Sequence, residues 1–340
     1  MINRLYDVVI VGAGPAGCTV ARYLSKNYRI LLIDRLKFPR KKSCGGILVE
    51  ESINFLKKLN IPGSLFSVPR YVDLKLLDWD NNIEIDTKRN FWNISRIAFD
   101  SWMLDLVDKD VQILEETRFV NLKRNPNDIK ILIKRNGKKF VIRTKSVVGA
   151  DGAPSTIREE ILQNKTTYYI TIQNWIKNSS KSNNFIFFIY NKNITDFYSW
   201  VIPKEDHLII GSAATNKIEE KIHLLMMGIK KKLNITGESL KKEYAMILRP
   251  RSEMDIALGS GKILLAGEAA GLISPSTGEG ISFALRSGFA CAQALNTNFN
   301  NPLPEYQNLC LPLILEIKEK IKKSKILSNP QKRMKMFQNL

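Results

Sequence analysis

An unbroken apolar run, Asp7-Val-Val-Ile-Val11, passes directly into Gly12-Ala-Gly14-Pro15-Ala16-Gly17. A second run, Arg29-Ile-Leu-Leu-Ile33, ends on Asp34. Continuous apolar runs of this length read as strands buried on both faces. Residues 15–26 between them have helical spacing. The order strand, glycine turn, helix, strand leaves few folds open. In such a unit Gly12 permits the tight turn, Gly14 lets backbone approach a pyrophosphate, and Gly17 lets helix and strand pack closely. The helix N-terminus, at Pro15 and Ala16, presents N–H groups and the positive end of the dipole to an anion. Asp34 follows Gly14 at the distance where a carboxylate accepts hydrogen bonds from a ribose 2′-OH. The pattern predicts a dinucleotide site without separating NAD from FAD.

The rest of the chain arranges itself around that unit. Residues 35–46 form a basic, glycine-containing loop, and 50–59 a short amphipathic helix. Strands are expected at 71–79 and 82–87, and a helix at 98–109. Three short strands over 117–144 are joined by Asn-Pro-Asn-Asp and Asn-Gly, both good hairpin turns. Ser146–Gly149 reads as a separate buried strand. Four alternating strands over 166–213 predict an antiparallel sheet, followed by a helix at 217–233. A short buried strand at 262–266 precedes a helix at Ile281–Leu295, and the tail from about 304 is helical and basic. The fold class is α/β: a discontinuous Rossmann-type domain (1–70, 96–160 and 250–300), an inserted antiparallel-sheet substrate domain (71–95 and 161–249), and a helical tail (301–340).

A late segment narrows the ligand. Leu264-Leu-Ala-Gly267-Glu268-Ala-Ala-Gly271 is followed by Pro275-Ser-Thr-Gly278-Glu-Gly280-Ile281, which opens a helix. A helix N-terminus flanked by glycines suits an isoalloxazine ring, because its dipole stabilises negative charge on the reduced ring. With Ala150-Asp151-Gly-Ala-Pro-Ser-Thr-Ile-Arg158, and Ser95-Arg96 before Phe99-Asp100, these motifs resemble those of the FAD-dependent oxidoreductases that include hydroxylases, halogenases and geranylgeranyl reductases. The resemblance covers roughly residues 5–295. It implies that FAD is the cofactor, with Asp34 at the adenosine ribose and Arg35 beside it. It places the Val120 backbone near adenine, Arg96 and Asp151 at the cofactor, and Glu268 near the ribityl chain or pyrophosphate. The family usually has Asp where Glu268 stands. Glu268 and Glu279 also read as helix caps, and Arg96 as a surface ion pair.

A narrower resemblance is to the geranylgeranyl reductase branch. Lys42-Ser-Cys44-Gly45-Gly46 resembles its KxCGG segment, which lines the flavin and substrate cavity. Tyr198-Ser-Trp200-Val-Ile-Pro203 resembles its YxWxFP segment, with Ile202 in place of Phe. Cys44 then reads either as a catalytic thiol at the flavin face or as a small side chain where backbone approaches a ring. Tyr198 and Trp200 share one strand face, so with Pro203 they wall an apolar substrate pocket or pack the sheet core. The resemblance implies reduction of carbon–carbon double bonds in an isoprenoid or other apolar substrate. NADPH or a ferredoxin-type donor would serve as a visiting reductant. A flavin monooxygenase or halogenase is the alternative. A non-catalytic flavin-binding protein with membrane or RNA contact is a second.

Composition bears on partners. Fifty-two Lys and Arg against 33 Asp and Glu give a net charge of +19. Lys, Asn and Ile are abundant throughout, so the excess reads chiefly as coding bias, and nucleic acid is not the expected partner. The tail concentrates Lys318, Lys320, Lys322, Lys323, Lys325, Lys332, Arg333 and Lys335 beside Leu313, Ile314, Ile317, Ile321, Ile326 and Leu327. That pattern fits a helix lying on an anionic membrane or one packed on the protein. Four dispersed cysteines and two histidines argue against a disulfide framework or a metal site. The N-terminal apolar run is too short for a signal peptide. A cytoplasmic protein, peripheral at most on the inner membrane face, is expected.

Overall fold

The computed structural model describes residues 5–162, 167–177 and 184–339. The chain divides into two compact units, each assembled from three stretches: Met1–Lys41, Ile97–Thr167 and Leu248–Glu319 in the first, and Lys42–Arg96, Tyr168–Ile247 and Lys320–Leu340 in the second.

In the first unit the Leu5–Val11 strand lies between Ile30–Ile33 and the long strand Lys138–Gly149, parallel to both. Ile263–Leu265 extends the sheet in parallel on one side and Gln112–Leu114 on the other. Val8, Val9, Ile10, Leu31, Leu32, Val147, Val148 and Leu264 are completely buried, as strands covered on both faces require. Thr117–Arg124 and Ile129–Arg135 join Lys138–Gly149 in an antiparallel meander. The sequence pattern broke that last strand in two. Its first half alternates in the meander and its second half is apolar in the parallel sheet, so one strand carries two periodicities. The helix Ile281–Thr297 packs on the helix Pro15–Tyr23 through Gly288, where a Cβ would lie 2.6 Å from the Ala16 carbonyl oxygen.

The second unit is an eight-stranded sheet in the order 239–248, 168–177, 207–214, 199–204, 185–190, 66–78, 83–94, 47–48. From 168–177 through to 47–48 neighbouring strands are antiparallel, except that Phe185–Tyr190 runs parallel to Phe66–Asp78. One face carries Ile172, Ile176, Val201, Leu208 and Ile210 against the helix Ile218–Leu233. The other carries Tyr169, Tyr198, Trp200, Ile202 and Ile209, with Leu327 and Phe337 from the tail.

Two expected boundaries move. Residues 42–70 join the sheet unit, because Ile47–Leu48 and Phe66–Asp78 both pair with Ile83–Ile94. The tail is no separate body. Up to Glu319 it belongs to the first unit, where Tyr306 donates to the Leu265 carbonyl, and beyond that to the second. Its apolar residues Leu313, Ile317, Ile321 and Leu327 are buried, and so is Arg333. The stripe that fits a membrane surface is therefore used inside the fold. Among the described residues no helix is long and apolar enough to cross a membrane.

Candidate active site

The glycine turn is built by contact between backbones. Gly12 has φ +102°, and a Cβ there would lie 2.3 Å from the Ala150 carbonyl oxygen. One at Gly17 would lie 1.8 Å from the Gly12 oxygen. Gly14 differs: a Cβ there would meet only Arg40 Nη2, at 3.3 Å, so this stretch of backbone opens onto space. No side chain caps the helix that begins at Pro15. Asp34 is buried and pins the turn, its Oδ2 accepting from Ala13 N at 2.8 Å and its Oδ1 from Leu36 N at 2.9 Å. Each oxygen keeps a second lone pair for a ribose hydroxyl.

Arg40 is the residue that the sequence reading missed. Its Nη2 lies 3.0 Å from Oδ2 of the fully buried Asp100. Its Nε is buried with no partner among the described residues. An unpaired guanidinium donor beside an open glycine and an uncapped helix N-terminus matches a pyrophosphate. Arg35, the arginine singled out from the sequence, is exposed. Only the position of Arg40 within the basic loop hinted at its part.

The late bend comes to the same place. A Cβ on Gly267, whose φ is +63°, would lie 3.1 Å from the Ala16 Cβ. Its N–H donates to Ser287 Oγ at 2.9 Å. Glu268 Oε1 accepts from Leu248 N at 2.9 Å. Asp151 accepts from Ser155 Oγ at 2.6 Å and from Thr156 N at 2.8 Å. Burial pushes its carboxyl up against these bonds. Asp151 thus holds the start of the Thr156–Leu162 helix, a structural task the motif alone did not reveal. Arg158 clamps the Ala269 and Asp255 carbonyls at 3.1 and 2.6 Å.

Pro275 is buried, and Gly278, φ +63°, closes its loop by donating to Ser274 O at 2.8 Å. Gly280 and Ile281 begin the following helix. The bare dipole expected there is modified. Glu279, just ahead of the N-cap Gly280, accepts from Ser282 N at 2.6 Å and Ser282 Oγ at 2.8 Å, setting a carboxylate against the first turn. Val120 sits at a bulge, between the pairs Phe119–Ile133 and Asn121–Leu132. Its backbone is thereby released from the ladder.

The second unit holds the other motif residues. Gly46 has φ +64°, and a Cβ there would lie 2.2 Å from Ile94 O and 2.8 Å from Lys204 Nζ. One on Gly45 would lie 2.5 Å from Ile202 Cδ1. Cys44 is half-buried, its Sγ accepting from Gly46 N at 3.4 Å. Arg96 is half-buried at the start of the Arg96–Asp105 helix. Beneath this loop lies Lys204, only 5% exposed, donating to Asn93 Oδ1 and to Ile94 O at 2.7 Å. Two acceptors match the two N–H bonds of a neutral amine. Burial lowers its pKa to about 7, with Arg96 adding to the effect and Cys44 and Glu205 opposing it. Tyr198 and Trp200 lie in the sheet's hydrophobic layer, whereas Pro203 is buried on the opposite face, across from Leu208, so it does not wall one pocket with them. Tyr198 stacks on Phe188 with centroids 4.0 Å apart, so packing accounts for its ring.

A family model described as FAD binding domain matches residues 5–302. The chain belongs to that family. FAD is therefore the cofactor, and the open Gly14 backbone, the Arg40 donor and the adjoining late bend are a cradle that fits it. As a member of the FAD binding domain family, the chain is an FAD-dependent oxidoreductase of the superfamily that also holds monooxygenases. Protein CbrA of Escherichia coli O6:H1 is 29% identical over 340 residues, covering 96% of this chain and 91% of its own. A geranylgeranyl bacteriochlorophyll reductase-like protein of Thermoplasma acidophilum superposes with TM-score 0.79 at 20% identity, over 96% of this chain and 88% of that one. The flavin-dependent halogenase CmlS does so with TM-score 0.71 at 17%, over 95% and 63%. Both structural likenesses are likenesses of fold.

Proposed function

We propose that the protein reduces a carbon–carbon double bond in an isoprenoid or similarly apolar substrate. The observation that carries this reading is the sheet face of the second unit. There Ile202 touches the Cys44-Gly45-Gly46 loop, and Trp200 continues the same strand face with its indole. Bound FAD supplies hydride-transfer chemistry. Saturating a double bond puts a hydride on one carbon and a proton on the other, and the proton is the protein's share. An isolated alkene accepts hydride poorly, so its protonation must accompany transfer. Cys44, at the loop, is the side chain proposed to deliver that proton. Lys204, buried below it, is the group proposed to exchange a proton with it. The cradle residues Gly14 and Arg40 orient the cofactor's phosphates. One dinucleotide turn is read in the chain and FAD takes it, so the reductant, NADPH or a ferredoxin-type protein, is proposed to visit.

The test is anaerobic incubation of the reduced, FAD-loaded protein with geranylgeraniol, followed by mass spectrometry. The expected product carries two additional hydrogens. Ile202 departs from the Phe of the reductase segment, and a halogenase is the alternative reading, so the same mixture is run in air with chloride. A product bearing oxygen or chlorine, and none bearing two hydrogens, would falsify the reductase reading.

A further inference from the structure

Residues directly opposite on antiparallel neighbours share a sheet face. Gln173 lies opposite Gly211, and Gly211 opposite Trp200. The three form one row across three strands. Gly211 leaves room that the indole takes: a Cβ there would lie 2.5 Å from Trp200 Cε2, the carbon bonded to Nε1. The indole therefore lies over the middle strand, in the same cross-strand row as Gln173. Trp200 is 7% exposed and Gln173 4%. Neither Trp200 Nε1 nor Gln173 Oε1 has a hydrogen-bond partner among the described residues. One is a donor and the other an acceptor, yet they do not bond to each other. Native interiors rarely leave such atoms unmatched. Two residues along the strand from Trp200, roughly 7 Å away, Ile202 meets Gly45 of the Cys44–Gly46 loop.

We propose that Trp200 and Gln173 form a subsite for one hydroxyl group of an otherwise apolar substrate. A hydroxyl accepts from the indole N–H and donates to the amide oxygen, satisfying both at once. An ether satisfies only the indole. An ammonium satisfies only the amide. A carboxylate brings a charge that neither group neutralises. The proposal rests on the apolar-substrate reading and adds an alcohol to it.

Calorimetry on the full-length, FAD-loaded protein tests it with three matched probes: farnesol, its methyl ether, and the hydrocarbon farnesene. Farnesol should bind about tenfold tighter than the other two, the worth of a hydrogen bond between neutral groups. Gln173→Leu should erase that preference and still bind farnesene as the parent does, and Trp200→Phe should erase it too. In spectra of protein with isotope-labelled indole nitrogen, the N–H resonance missing from Trp200→Phe should shift with farnesol and stay with farnesene. Equal binding of the three probes, no binding of any, a preference kept in both variants, or an unmoved Trp200 resonance overturns the subsite. Binding is read here without turnover. An alcohol preference with no reduced product removes the reductase reading alone, and reduction with no preference removes the subsite alone.

Discussion

At Gly14 the missing side chain leaves open space rather than room for a neighbour. Gly12 and Gly17 are glycine because neighbouring backbone fills the space, whereas Gly14 faces an opening bordered by Arg40. Gly14→Val should therefore spare the fold and expel the cofactor. The purified variant should lack the flavin absorption near 450 nm shown by any bound flavin and keep the parent's far-ultraviolet dichroism; full flavin content would reject the cradle. Lys204 makes a second prediction. Its folded pKa of about 7 lies below the ordinary lysine value of 10.5. Between those values the unfolded chain binds a proton that the folded chain does not. Stability must then rise as pH rises through that window. Lys204→Met should flatten the rise, as followed by urea unfolding at several values between about pH 7 and 9.5; equal slopes in both proteins would reject it. Gly12, Gly14, Gly17 and Asp34 were legible because a turn of that kind admits few alternatives. Arg40 and Lys204 were not, since each is one cation among 52 until the fold buries it.

Elements were legible where one periodicity ran from end to end. The hairpins over 117–144 announced themselves through their turns, and the apolar strands through unbroken runs. Ser239–Leu248 went unread. It is an edge strand whose consecutive Lys241 and Lys242 are both exposed, and edge strands carry such charges because their outer side must not pair. The C-terminal helix Pro330–Phe337 shows a different failure. Arg333 belonged on paper to a solvated basic face, yet it is buried, with Nε 2.7 Å and Nη2 2.8 Å from the oxygens of the fully buried Asp78 and Nη2 2.6 Å from Asp80. Burial pulls the Asp78 carboxyl up, but Arg333 and Asn81 more than offset it and hold it below 3.8. This latch is accordingly complete above that pH and fails as pH falls below it. Removing one partner strands a buried charge, at a cost of about 3–5 kcal/mol. Arg333→Met should melt lower and should be cut quickly by trypsin at Lys332 and Lys335, while Asp78→Asn combined with it should recover part of the loss. Parental melting and cleavage in the single variant would show that the latch contributes nothing.

For the whole chain, the α/β class and the interleaving of its two units followed from the order of motifs. The assignment of 42–70 and 320–340 did not, because it depends on strand pairing and packing over long sequence separations that no local pattern encodes. Net charge is the remaining property of that scale. Interfacial helices are held by a large apolar face together with basic residues. Here Tyr306, Cys310, Leu313, Ile317, Ile321 and Leu327 are spent inside the protein, and only Leu311, Leu315 and Ile326 remain exposed along that helix. Arg333 turns inward and Lys318 pairs with Glu253 at 2.7 Å. We propose that contact with an anionic membrane, where it occurs, is electrostatic and unanchored. Each lysine near such a surface contributes about 1 kcal/mol, and the effect decays within a Debye length. Vesicles of phosphatidylcholine containing phosphatidylserine should sediment the protein at about 0.05 M salt and release it at about 0.5 M, where the Debye length is less than half as long. Tryptophan emission should stay constant throughout, because no indole enters the bilayer. Protein that stays on the vesicles at the higher salt, or a blue shift on binding, would mean that an apolar face does insert and that the tail helix opens away from its buried partners to supply it.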